Sequence, residues 1–140
     1  MAKVYMAMSA DIVHQGHLNV INQARNLGDV IVGLHTDDVI RGYWRNPIMK
    51  YDERKEVIEN IKGVIEVIPQ DTLDQVSNIL KVRPEYVVHG DDWKEGQQKE
   101  LRENVINALN TYGGKLIEVP YTKGVSISKL DQDLMEIGIT

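Results

Sequence analysis

GDVIVGLHT, residues 28–36, is the stretch that decides the fold, because Val30 to Leu34 form a continuous apolar run directly after Gly28 and Asp29. A run without alternating polar residues is typical of a strand covered on both faces, as in a parallel sheet. A helical pattern precedes it over 17–27, and strands and helices alternate along the rest of the chain. The pattern therefore predicts an α/β protein.

Five predicted strands alternate with helices on either side of this stretch. The strands cover 3–8, 30–35, 64–68 (closed by Pro69), 86–89 and 115–119. Helices are predicted over 17–27, from Asp52 to Ile61, from Thr72 to Leu80, over 97–112 and from Ser126 onward. Right-handed crossovers between parallel strands then give a Rossmann-like, doubly wound five-stranded sheet in one domain, residues 1–140.

Composition excludes several classes of protein. A formal net charge of −5 argues against a nucleic-acid binder that depends on a basic surface. The chain has no cysteine, which excludes disulfides and thiolate metal sites. No apolar run approaches the roughly 20 residues that span a bilayer, and the N-terminus does not resemble a signal peptide. We therefore expect a cytoplasmic protein without a membrane partner.

The polar segments that contain the candidate catalytic and binding residues follow the predicted strands. They are residues 11–17, 36–38, 89–93 and 121–129. Ligands of doubly wound sheets bind beyond the carboxyl ends of the strands. In the first segment, His14 and His17 flank Gly16 where a loop becomes a helix, so imidazole donors and free helix N–H groups can meet a phosphate. Incidental helix-entry residues are one alternative. A metal site is another, built from Asp11, His14 and His17 and completed by His89, Asp91 and Asp92.

The segment Gly124-Val125-Ser126-Ile127-Ser128-Lys129 provides a second group of phosphate donors. Two hydroxyls at a predicted helix start and one ammonium group suit the β- and γ-phosphates of a triphosphate. An N-cap serine with a solvated lysine is the alternative. The position of this segment on the same sheet edge as the histidines favours the phosphate site.

Residues 14–17 (HQGH), 89–93 (HGDDW) and 124–129 (GVSISK) resemble, in order and spacing, the small HxGH cytidylyltransferases typified by glycerol-3-phosphate cytidylyltransferase. The resemblance implies a homodimer that uses CTP with Mg²⁺ and releases pyrophosphate. It implies catalytic roles for His14, His17 and Lys129. The nucleotide-binding residues predicted from the motifs and this resemblance are Ser9, Ala10, Asp11, Gly16, His89, Asp91, Asp92, Trp93, Gly124, Ser126 and Ser128.

Three departures from the glycerol-phosphate enzymes bear on the acceptor. Met8-Ser9-Ala10-Asp11 replaces their Gly-Thr-Phe-Asp, and 121–124 (YTKG) replaces Arg-Thr-Glu-Gly. Lys62 stands where they have arginine, and lysine does not reproduce a bidentate fork. Three segments, 9–11 (SAD), 88–94 (VHGDDWK) and 120–124 (PYTKG), resemble the cytidylyltransferase domains associated with phosphoenolpyruvate mutases. The expected acceptor is therefore 2-hydroxyethylphosphonate or a related phosphonate. The ending 138–140 (GIT) resembles the lead-in to a mutase domain, fused or partnered, which would make this chain one domain of a longer protein.

Residues Arg41, Arg45 and Tyr121 are predicted to bind the acceptor anion. The two arginines, with Tyr43, Trp44 and Lys50, fall in a predicted loop that can act as a clamp or lid, or as a plain solvated loop. Arg54 is expected to form a local salt bridge with Asp52 or Glu53, and Asp37 and Asp38 are expected to cap helices. His35 is expected to have a structural role. Trp93 is expected either to stack near the base or to pack on the sheet. Asp11 is expected to orient His17 or to lie near Mg²⁺.

The sequence thus predicts transfer of CMP from CTP to a small phosphonate or phosphate by a single in-line displacement. Glycerol 3-phosphate as acceptor, or an adenylyltransferase of the same superfamily, are the alternatives within this class. A catalytically silent nucleotide sensor is the alternative outside it. Fold alone does not separate them.

Overall fold

The computed structural model describes residues 2–91, 93 and 96–120, and of Gln97 it describes only the backbone. Five strands are formed: β1 (Lys3–Met8), β2 (Asp29–His35), β3 (Val64–Gln70), β4 (Tyr86–Gly90) and β5 (Lys115–Val119). The helices between them are α1 (Gln15–Arg25), α2 (Asp37–Tyr43), α3 (Tyr51–Glu59), α4 (Val76–Val82) and α5 (Lys99–Asn110), with a 3-10 turn at Gly96–Gln98 before α5.

All strand pairs are parallel, and the order across the sheet is β3-β2-β1-β4-β5. The chain runs outward from β1 to β3 and then returns to build β4 and β5 on the other side. This is the doubly wound α/β arrangement, so the predicted Rossmann-like fold is confirmed. The direction of winding reverses between β1 and β4, which is where ligands of such sheets bind.

Each face of the sheet buries its own apolar core. On one face, α1 and α3 cover a core whose fully buried members include Val4, Ile21, Val30, Val32, Leu34 and Ile58. On the other, α4 and α5 cover a core that includes Tyr5, Ile79, Val87, Trp93, Val105 and Leu109. Burial on both faces is the reason that β2 reads as a continuous apolar run.

The structure corrects several predicted boundaries. Pro69 lies inside β3 instead of closing it; β3 is an edge strand, where a residue without an N–H group is tolerated. The predicted loop after β2 contains the short helix α2, whose N-cap is Thr36 and not an aspartate. The helix expected from Thr72 begins only at Val76, after the Asp74 carboxylate accepts the Val76 N–H.

Gly33 allows β2 to pass over the ring of Tyr5. A Cβ placed at Gly33 would lie 1.7 Å from the Tyr5 hydroxyl, and that hydroxyl is held by Gln70 and Asn78. We expect Gly33→Ala to lower the free energy of unfolding by about 3 kcal/mol, the upper end of the usual cost of overpacking. Urea unfolding measures this loss.

Gly42→Ala is the matched control, because a Cβ there meets nothing within 4 Å and the position is helical. It should leave stability unchanged or raise it by up to about 1 kcal/mol. Equal stability of the two alanine variants would show that the β2–Tyr5 contact is looser than described.

Candidate active site

A crevice opens between β1 and β4 at their carboxyl ends. β1 pairs with β2 along its whole length, from Lys3 to Met8, but it pairs with β4 only at Val4 and Tyr5. Beyond Tyr5 the two strands no longer pair, and the winding of the sheet reverses between them. Helix α1 packs against both β2 and β4, so it lies over β1 and starts beside this crevice.

His14 and His17 form the N-terminal cap of α1. His14 is the N-cap residue, and its Nδ1 accepts the Gly16 N–H at 3.0 Å. In return, the His14 N–H donates to His17 Nδ1 at 3.1 Å. The two ring centroids lie 4.1 Å apart. The motif thus satisfies two helix N–H groups in the manner of a capping box, and α1 begins two residues earlier than predicted.

These caps fix the protonation of both rings. A nitrogen that accepts an N–H carries no proton, so each neutral imidazole bears its hydrogen on Nε2. Burial, and secondarily the charge of His14, lowers the pKa of His17 to about 3, and burial lowers the pKa of His14. Both histidines are therefore neutral at pH 7 and present Nε2–H donors.

Stability should fall as the pH falls below 6.5. The pKa of His17 is lowered to about 3, and that of His35 to about 4, mainly by burial. Between pH 6.5 and 5 the unfolded chain binds protons at these imidazoles and the folded chain does not. Each group then removes up to about 1.4 kcal/mol of unfolding free energy per pH unit.

The test is urea unfolding at pH 7, 6 and 5, a range in which most carboxylates stay ionised. His35→Asn should show a shallower loss of unfolding free energy than the wild type, because it removes one of the imidazoles whose pKa is lowered in the folded chain. The same slope in both proteins would contradict the assignment.

Asp11 connects the loop after β1 to the segment before α3 through hydrogen bonds and an ion pair. Its carboxylate is fully buried, and it pairs with Arg45 and accepts the N–H groups of Ile48 (2.7 Å) and Met49 (2.8 Å). None of these contacts is with His17, whose Nδ1 accepts the His14 N–H instead. A direct contact by which Asp11 would orient His17 is therefore not supported, because the carboxylate already accepts three donors. The alternative, a position near Mg²⁺, stays a prediction.

The loop around Asp11 has a strained backbone. Ala10 has φ = 50° and Ile12 has φ = 105°, in the left-handed region that β-branched residues rarely adopt. Strain of this kind concentrates at functional sites, where the surroundings enforce it. Here the three donors on Asp11 enforce the turn that carries the chain from β1 to His14.

Arg54 connects the ends of two strands and is a residue whose role the sequence prediction missed. Its fully buried guanidinium donates to the carbonyls of Ser9 (2.8 Å), His35 (2.7 Å) and Met49 (2.9 Å). It also pairs with Asp37 at 2.6 Å. The predicted local salt bridge of Arg54 is therefore wrong. Asp37 holds this arginine and does not cap a helix.

The two arginines predicted to bind the acceptor lie in different surroundings. Arg41 lies on α2 and pairs with the exposed Asp38 at 2.5 Å. Arg45 pairs with Asp11 and stacks on Trp44, with 3.8 Å between its Cζ and the ring centroid. Arg45 is thus fixed beside the loop that leads to His14, whereas Arg41 points to the surface. Their contact with an acceptor stays a prediction.

His89 and Trp93 form a parallel stack at the end of β4. Their ring centroids are 3.6 Å apart and the planes differ by 8°. The indole is 1% exposed and its N–H donates to Glu118 at 3.1 Å. Glu118 in turn receives a two-point contact from Arg102, at 2.8 and 3.2 Å. Trp93 therefore packs on the sheet, which leaves the base-stacking alternative without support.

Part of the predicted site lies outside the described residues. This applies to Asp92, Tyr121, Gly124, Ser126, Ser128 and Lys129. Within the described part of the chain, no three His, Asp or Glu side chains gather where a metal ion could be held. None of the helices in that part combines the length and apolar character that crossing a bilayer requires.

Comparison with known proteins identifies the family. The family model described as cytidylyltransferase-like matches residues 8–129. Glycerol-3-phosphate cytidylyltransferase of Bacillus spizizenii is 34% identical over 98% of this chain and 100% of its own length. Ethanolamine-phosphate cytidylyltransferase of Mus musculus is 34% identical over 86% of this chain and 29% of its own length.

A solved structure agrees at the level of the fold. The lipopolysaccharide core biosynthesis protein of Thermoplasma volcanium superimposes with a TM-score of 0.71 at 23% identity, over 89% of this chain and 99% of that one. The predicted enzyme class is confirmed by the sequence relatives. The chain belongs to the cytidylyltransferase-like family and is a CTP-dependent cytidylyltransferase.

Proposed function

We propose that this protein transfers CMP from CTP to a small phosphomonoester at the crevice between β1 and β4, with release of pyrophosphate. The observation that carries the proposal is the pair of neutral imidazoles at the start of α1. Their Nδ1 atoms accept backbone N–H groups, which leaves the Nε2–H groups of His14 and His17 as donors. Two N–H donors at a helix N-terminus match an α-phosphoryl group.

The reaction is a single in-line displacement. An oxygen of the acceptor phosphate bonds to the α-phosphorus of CTP as the bond to the β-phosphate oxygen breaks, and pyrophosphate leaves with that electron pair. Neither histidine forms a covalent bond. They stabilise the charge on the equatorial oxygens, and positioning supplies the rest of the rate enhancement.

The acceptor is proposed to be glycerol 3-phosphate or the phosphate of another small alcohol. This rests on the relatives, which include glycerol-3-phosphate cytidylyltransferases at 34% and 29% identity and an ethanolamine-phosphate cytidylyltransferase at 34%. Their names favour the phosphate alternative over the phosphonate expected from the motifs. A phosphonate therefore enters the test as a competing acceptor.

The remaining parts of the proposal concern the triphosphate and assembly. Mg²⁺ prefers oxygen ligands and keeps several waters, so phosphate oxygens would supply much of its coordination, with Asp91 as a carboxylate at the end of β4. When bound, the ion neutralises phosphate charge. Ser126, Ser128 and Lys129 are proposed to hold the leaving pyrophosphate. A homodimer, a mutase partner and a cytoplasmic location stay predictions.

Pyrophosphate release tests the proposal. The protein is incubated with Mg²⁺ and CTP or ATP, together with glycerol 3-phosphate, phosphoethanolamine or 2-hydroxyethylphosphonate. Release with CTP and one phosphomonoester, with the CDP-linked product identified by mass, is expected. A preference for the phosphonate would restore the motif-based expectation for the acceptor. Release with ATP alone would contradict the nucleotide assignment.

A further inference from the structure

Four side chains form a continuous row from the crevice to the outer edge of the sheet. The order is His89, Trp93, Glu118 and Arg102, with a ring stack of 3.6 Å, an N–H···O contact of 3.1 Å and a two-point ion pair. The Glu118 and Arg102 side chains are only 16% and 28% exposed. Each member therefore restrains the next.

The row ends at the crevice because His89 lies on β4 beyond the last β1–β4 pair, which is Tyr5 with Val87. The imidazole is held on two sides. Its Nδ1–H donates to the Gly90 carbonyl at 2.8 Å, since a carbonyl can only accept, and one ring face is covered by Trp93.

We propose that Trp93, Glu118 and Arg102 are positioning residues, which hold the His89 imidazole in place as a contact for the cytidine nucleotide. This rests on the proposed function, in which the nucleotide occupies the crevice. A ring whose orientation is already fixed loses little rotational freedom when a ligand binds. The row should therefore act on the affinity for CTP and leave the chemical step unchanged.

The consequence for Glu118 is specific. Glu118→Gln keeps the size of the side chain but removes the charge that pairs with Arg102 and orients the indole N–H. We expect a Kd for CTP about 5- to 30-fold higher in equilibrium dialysis, the change that 1 to 2 kcal/mol produces. The KM for CTP should rise by a similar factor, with kcat little changed.

Asp74→Asn is the matched control. Asp74 is also a carboxylate on the α4–α5 face, where it accepts from the Asn104 amide at 2.8 Å and from the Val76 N–H at 2.7 Å. Its replacement is the same kind of isosteric change, made outside the crevice. It should lower stability and leave the Kd for CTP within about 2-fold of the wild type, well below a tenfold step.

A double-mutant cycle with His89→Gln decides whether Glu118 acts through the imidazole. If it does, Glu118→Gln causes no further loss of CTP affinity once His89 is replaced. Equal losses in both backgrounds, or no loss in the wild-type background, would overturn the proposal. If His89→Gln does not fold, Trp93→Phe replaces it in the cycle, because phenylalanine keeps a ring beside His89 but cannot donate to Glu118.

Binding and turnover separate this proposal from the proposed function. Loss of CTP affinity in Glu118→Gln, with no pyrophosphate release by the wild type, would support the row and overturn the transferase proposal. Pyrophosphate release by the wild type, with an unchanged Kd for CTP in Glu118→Gln, would support the transferase proposal and overturn the positioning role of the row. A wild type that does not bind CTP would overturn both.

Discussion

His17→Ala is expected to lower kcat for CMP transfer by about 100- to 1,000-fold, the usual effect of removing one preorganised donor to a developing charge. The Nε2–H of His17 is such a donor, because its Nδ1 is occupied by the His14 N–H. The KM for CTP should change much less if the contact strengthens in the transition state. Steady-state pyrophosphate release measures both constants.

His17→Gln separates catalysis from capping. Glutamine at this third helical position can still accept the N-cap N–H, as in the common capping box. This variant should therefore unfold near the wild-type urea concentration yet turn over slowly. Near-normal kcat in His17→Ala would remove His17 from the catalytic assignment, and a matching collapse of stability in both variants would show that the loss is structural.

Arg54→Met is expected to lower the free energy of unfolding by about 3 to 5 kcal/mol, because it breaks a buried ion pair from one side. The Arg54 guanidinium is fully buried and bonds to Ser9, His35, Met49 and Asp37. Methionine fills similar space but leaves three carbonyls and a carboxylate without their donor. Urea unfolding at pH 7 gives the difference.

Arg41→Met is the control for Arg54→Met. The Arg41–Asp38 pair is exposed, so its loss should cost less than about 1 kcal/mol. A loss of similar size in both variants would mean that Arg54 is not the buried connection that the structure describes. Arg54→Lys should fall between wild type and Arg54→Met, because one ammonium cannot reach all four acceptors.

The sheet could be predicted from the sequence because its signals are local. The apolar run of β2, the helical spacing after His17 and the glycine stops each occupy a short window, and parallel pairing follows from their alternation. The His14–His17 pair was equally visible, since spacing and the preceding strand place it at a ligand edge. What spacing did not reveal is that the two histidines also cap α1 through their Nδ1 atoms.

The contacts that tie the site together could not be predicted, because their partners are far apart in the sequence and many are main-chain atoms. Arg54 donates to the Ser9 carbonyl, 45 positions away in the sequence. Every residue has a backbone carbonyl, so the residue type at position 9 does not indicate this contact. Asp11 is likewise held by the N–H groups of Ile48 and Met49. Helix α2 was missed because seven residues give too few turns for a clear helical period.

The most direct test of the paired imidazole donors is nitrogen NMR of the protein labelled at histidine, recorded at pH 7 with and without CTP and Mg²⁺. We expect His14 and His17 to be neutral with the proton on Nε2, and we expect CTP to shift both Nε2 signals. Histidine variants assign the peaks. Protonated rings, protons on Nδ1, or Nε2 signals that do not move at saturating CTP would contradict this expectation.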